Sequence, residues 1–162
     1  MHSIAEEEAR KVIRRHDDII IETLARLLTP FIQAFALYVL CLGHYSPGGG
    51  FQGGVLMGAS FILLVLAYDI QEGKRRFTEK FNIVLNSTGV FVFSGTGLLC
   101  LLLGGKYLDY SQLAKILPVG PEEARSLGIL AVEIGVEITV AAIMVSIFLD
   151  LASRGEHERA LK

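Results

Sequence analysis

Cysteine is scarce in this chain, and so is charge. The 162 residues include two cysteines, Cys41 and Cys100, in separate apolar runs. No Cys-x-x-Cys pair exists, which removes the usual basis for a zinc site or an iron–sulfur cluster. Both cysteines read as buried small hydrophobes. Charged residues make up 20% of the chain, against roughly 25% in an ordinary soluble domain, and they are clumped. The net charge is −2, and no basic stripe with interleaved aromatics is present, so nothing suggests nucleic-acid binding. No Ser/His/Asp arrangement or metal-ligand cluster supports catalysis or a bound metal, and no cofactor is expected. A glycine-rich stretch exists, but it lacks the Gly-Lys-Ser/Thr ending of a phosphate loop and follows no soluble strand, which argues against nucleotide. Three glutamates, Glu6 to Glu8, stand near the start, and no cleavage pattern follows an apolar core, so no signal peptide is expected.

What the chain has in excess is apolar length. Apolar residues are 52% of it, the mean hydropathy is +0.51, and the excess falls into four long segments. The expected fold is an all-α membrane protein with four transmembrane helices, at about 20–43, 52–70, 83–104 and 127–151. Residues 1–19 form an amphipathic helical extension: Glu6 and Arg10, then Glu7 and Lys11, are four apart and support a helix lying on the membrane surface or on a partner. Residues 152–162 form a polar tail. Pro30 is expected to kink the first span, and Glu22 and Arg26, one turn apart near its start, are expected to pair or snorkel. Leu108 to Leu117 is expected to make a short interfacial helix ended by Pro118. Gly120-Pro121-Glu122-Glu123 reads as a helix start, with acids at the positive end of the dipole.

The chain is organised around residues 43–54. Pro47, Gly48, Gly49, Gly50, Phe51, Gly53 and Gly54 make a tight reversal between the first two spans, with a helix restarting near Phe51. Gly50, Gly54 and Gly58 stand four apart, the small-residue spacing that lets membrane helices pack closely. Lys and Arg counts set the orientation. The N-terminal segment, the 71–82 loop and the tail share one side and hold eleven of them, and the other side holds Lys106, Lys115 and Arg125. Both termini are therefore expected in the cytoplasm, with the reversal facing outward.

Two carboxylates inside the last span carry the most information. Glu133 and Glu137 are one turn apart on one helix face, at depths of about 9 and 15 Å from the outer side. Gln33, Ser60 and Ser94 fall at about 12–15 Å by the same count, so one polar layer can be drawn through all four spans. Two carboxylates this close in a low dielectric titrate as a coupled pair. Two readings stand: the pair handles sodium or protons, or it is a structural pair with a basic residue of another subunit. His44, at the outer mouth, is either a proton relay or a hydrogen-bonding turn residue. Asn86 and the hydroxyls near it offer either hard oxygen ligands or helix–helix hydrogen bonds.

Gly43-His44-x-x-Pro47-Gly48-Gly49-Gly50-Phe51-x-Gly53-Gly54 resembles the signature of the MnhB/MrpB family, subunits of multisubunit cation/proton (Mrp-type) antiporters. Related subunits occur in the antiporter-like membrane arms of energy-converting hydrogenases and sulfane-reducing complexes. The resemblance runs upstream through Arg26-Leu27-Leu28-x-Pro30 and downstream to Glu133-x-Gly135-Val136, and covers about residues 20–150. Leu42 departs from the Arg that frequently precedes Gly-His, and the resemblance does not extend to an acid at Glu137. It implies a non-catalytic subunit of a hetero-oligomer that assists exchange of sodium for protons, with other membrane subunits and the lipid bilayer as its surroundings.

Overall fold

The structure, a computed structural model, describes the backbone of residues 2–43, 48–68 and 78–160, and the side chains of 19–43, 48–68, 78 and 80–152. Its helices are α1 (His2–Leu42), α2 (Gly50–Tyr68), α3 (Glu79–Leu102) and α4 (Pro121–Ala160), with a 3-10 helix at Tyr110–Lys115 between α3 and α4. No strand occurs among the described residues. Among the described residues, four segments are long and apolar enough to cross a membrane: Ile19–Leu42, Gly50–Tyr68, Lys80–Leu102 and Pro121–Ala152. The extension before Ile19 and the first span form one continuous helix that runs through Pro30.

Local chemistry sets the helix ends. Gly49 has φ +107°, a left-handed conformation that a side chain disfavours, and α2 begins at the next residue. Gly104, at φ +86°, closes α3. Its N–H bonds the Leu101 carbonyl at 3.0 Å and the Gly105 N–H bonds Cys100 at 3.2 Å, the paired bonds of a Schellman cap. As expected, α4 starts at Pro121 with Glu122 and Glu123 in its first turn. The interfacial helix is shorter than the expected Leu108–Leu117. Leu108 is left-handed at φ 63°, and the Asp109 carboxylate accepts hydrogen bonds from Ser111 and Gln112, so helical geometry starts only at Tyr110. Those bonds hold the Asp109 carboxyl below the usual aspartate range, the Ser111 hydroxyl contributing most. Leu113 of this segment packs with Cys100 and Ala124, with Tyr110 against the cluster, tying the C-terminal end of α3 to the N-terminal end of α4. Burial raises the Tyr110 phenol above its ordinary value.

The helices pack in the order α1–α2–α4–α3, with α1 touching α4 only slightly. Small residues line the contacts: Ala25, Ala36, Ala141 and Ala142 are buried, as are Gly53, Gly54 and Gly58. Large apolar residues such as Phe31, Phe35, Phe91 and Leu102 point outward. A soluble domain sorts its residues the other way. In lipid there is no hydrophobic gain from hiding a leucine, so helices approach through small residues and leave large ones to the acyl chains. Cys100 is buried as expected, but Cys41, also expected buried, is exposed. An outward position on a membrane helix is still apolar, so the hydrophobic character of Cys41 did not require burial within the chain.

Candidate functional site

The glycines of α2 pack on the glutamates of α4. A Cβ built on Gly50 would overlap the Glu133 backbone. One built on Gly54 would lie 2.8 Å from the Glu137 carbonyl oxygen, and one on Gly58 would lie 3.4 Å from Ala141 Cα. Both helices step by four residues, and Gly50, Gly54 and Gly58 meet Glu133, Glu137 and Ala141 in the same order. The two helices therefore run parallel, with the carboxylates in their seam. Farther along both helices, Val65, Val145 and Leu149 close the seam, with Phe61, Ile62 and Phe148 against them.

The two carboxylates have unlike surroundings. Glu133 is half-buried and reaches into the reversal. A Cβ on Gly43 would lie 2.8 and 2.9 Å from its two carboxylate oxygens, and one on Gly49 would lie 3.0 Å from Oε1. Gly50 is the first residue of α2, so the Glu133 carboxylate sits at the N-terminal end of that helix. There the dipole and the first unpaired N–H groups favour negative charge. The reversal glycines thus make room for an acid as well as for a turn. Glu137 is 5% exposed, and its Oε1 accepts no hydrogen bond among the described residues.

The remaining candidates do not join one layer. Ser60 is fully buried, and its hydroxyl donates to the Met57 carbonyl at 2.7 Å. Gln33 is half-buried on α1. Ser94 is exposed on α3, in a groove it shares with Asn86, Ser87, Val90 and Phe91, and α4 separates α3 from α2. Within that groove the Asn86 Oδ1 is buried and has no partner among the described residues. His44 and Pro47 lie outside the described residues. Gly48 and Phe51 are exposed, and Gly49, Gly53 and Gly54 are buried. Arg26 pairs with Glu22 at 3.5 Å, as expected, and also donates to the Tyr68 hydroxyl at 2.5 Å.

Sequence reasoning missed two contacts. Gly89 and Gly135 cross closely: a Cβ on Gly135 would lie 2.7 Å from the Gly89 carbonyl oxygen. Glycine inside a helix, where it costs about 1 kcal/mol relative to alanine, is the signal that marks such a crossing. Ala36, whose carbonyl faces Gly53, carries no signal in its side chain. Among the described residues no group of three or more His, Cys, Asp or Glu is placed to hold a metal ion.

Four apolar helices in contact through small residues, with two acids in one seam, define a multi-pass membrane protein. Comparison with known proteins narrows the class. The chain belongs to the family described as domains related to the MnhB subunit of Na+/H+ antiporters, whose model matches residues 20–146. Proteins named "Putative antiporter subunit mnhB2" from Staphylococcus aureus strains Newman and JH1 are each 29% identical to it over 139 residues, covering 85% of this chain and 96% of theirs.

Proposed function

We propose that the chain is a membrane subunit of a multisubunit sodium/proton antiporter and supplies part of the ion path. The observation that carries this is the placing of Glu133 and Glu137 in the α2–α4 seam, one in the outer reversal and one buried a turn deeper. Ionisable groups within a span are costly to keep and mark ion pathways. Family membership and the relatives' names support the antiporter setting. In this reading sodium and protons are the transported ions, and the chain holds no cofactor. Other membrane subunits and lipid surround it, and it meets neither nucleic acid nor nucleotide. It lies in the cell membrane with both termini cytoplasmic, an orientation supported by the eleven Lys and Arg on that side.

Because Val65, Val145 and Leu149 close the seam inward of Glu137, an ion arriving there leaves sideways. The glycine contacts alone support a narrower reading, a subunit that only packs larger ones together; the two readings part at Glu133.

The test is affinity purification from native membranes followed by reconstitution. Companion membrane subunits and sodium-for-proton exchange in vesicles are expected. Hydrogenase or sulfane reductase activity in the same preparation assigns the redox-driven setting, and its absence the stand-alone antiporter. A chain that purifies without other subunits contradicts the proposal.

A further inference from the structure

Gly53 lies where three helices meet. It belongs to α2, and a Cβ built on it would lie 3.1 Å from the Ala36 carbonyl oxygen of α1 and 3.2 Å from Glu137 Oε1 of α4. Ala36 is 0% exposed and Glu137 5%. Two acceptors therefore lie close over Gly53, where an added Cβ would be crowded by both, and Oε1 accepts no hydrogen bond among the described residues. Acceptors gathered away from water are unfavourable unless a positive group lies among them. Carboxylate and carbonyl oxygens are hard ligands that suit hard cations. A single carboxylate balances one positive charge, and among the described residues no cluster of three or more acidic, His or Cys ligands is placed to hold a divalent or transition ion.

We propose that Glu137 and the Ala36 carbonyl, meeting over Gly53, supply two of the oxygen ligands of a site for one small alkali cation, sodium or lithium. This site rests on the transport reading above and names the ion-binding point within it. It differs from Glu133 in kind: Glu133 lies among the reversal glycines at a helix N-terminus, whereas Glu137 is enclosed by α1, α2 and α4. Gly53 acts as the size filter, because any side chain there occupies the cation's place.

Dicyclohexylcarbodiimide, which adds to carboxyl groups in apolar surroundings, provides the test. The assembled, purified complex is treated in sodium chloride or in choline chloride at equal ionic strength, and the adduct at residue 137 is followed by peptide mass spectrometry. Glu137 is expected to be modified in choline, and saturating sodium to slow the modification about tenfold or more, as a bound ion competing for the carboxyl requires. Glu137→Gln removes the adduct and confirms its position. Gly53→Ala, whose methyl fills the space, is expected to keep the labelling and lose the sodium protection. Equal labelling in sodium and choline, or no labelling at Glu137 in either, overturns the site, and this wild-type comparison needs neither variant. Protection that survives in Gly53→Ala also overturns it. If the same preparation still exchanges sodium for protons, these failures remove the site and leave the transport reading standing; a preparation that exchanges nothing removes that reading.

Discussion

Replacing Gly54 by alanine tests the packing of α2 on α4 with a single methyl group. That methyl would stand 2.8 Å from both the Glu137 carbonyl oxygen and Val140 Cβ, and 3.1 Å from Glu137 Cα. Ordinary carbon contacts lie at about 3.5–4.0 Å, so the seam must open by roughly 0.7 Å. Two of the three atoms are α4 backbone, which cannot rotate aside as a side chain tip does. The helices must separate, and the neighbouring Gly50–Glu133 and Gly58–Ala141 contacts loosen with them. Overpacking of this kind costs about 1–3 kcal/mol, equivalent to a fall of about 5- to 150-fold in the properly packed fraction. The assay is assembly yield on a native gel, with thermal unfolding of whatever complex is recovered. Gly95→Ala is the matched control, since nothing lies within 4 Å of its added Cβ, and removing a helical glycine favours the helix by up to about 1 kcal/mol. A Gly54→Ala complex that assembles and melts like the wild type would refute the close seam, as would a Gly95→Ala complex that suffers more.

Two further outcomes follow from the two ends of the bundle. Asp109, held below the usual aspartate range by Ser111 and Gln112, stabilises the 3-10 segment above the unfolded aspartate pKa of about 3.9 and loses that effect as pH falls through its lower folded value. Hydrogen exchange of Tyr110–Lys115, corrected for intrinsic rates, is therefore expected not to vary with pH near neutrality, while Asp109→Asn raises it there. Arg26→Gln removes an exposed pair with Glu22 and a bond to Tyr68; exposed pairs are worth about 0–1 kcal/mol, so assembly and melting of the complex should stay near wild type.

Much of the fold is legible in the sequence because hydropathy reports length and type of span directly. The spans, the helix start at Pro121 and the reversal before α2 need no tertiary information. The four-residue spacing of Gly50, Gly54 and Gly58 is legible too, but not its partner: no local signal links it to Glu133, Glu137 and Ala141, which lie some eighty residues away. Position along a helix is legible and rotation is not. Ser94 and Glu137 fall at similar depths when counted along their helices, yet Ser94 points out of α3 and Glu137 into the α1–α2–α4 junction. Ala36 shows the limit most plainly, since a backbone carbonyl contributes to a site without leaving any mark in residue type.

Replacing Glu133 tests the ion path most directly. Glu133→Gln keeps the volume that fills the space between Gly43 and Gly49 and removes the titratable charge. Were Glu133 only half of a buried ion pair with another subunit, stranding its partner would cost about 3–5 kcal/mol and the complex would come apart or melt early. An ion-path residue predicts a different result: normal assembly, normal melting, and sodium-driven proton movement in reconstituted vesicles reduced by about tenfold or more, the equivalent of about 1.4 kcal/mol, with a shifted pH profile. Wild-type exchange of sodium for protons across the whole pH range, in a stable complex carrying Glu133→Gln, would contradict it.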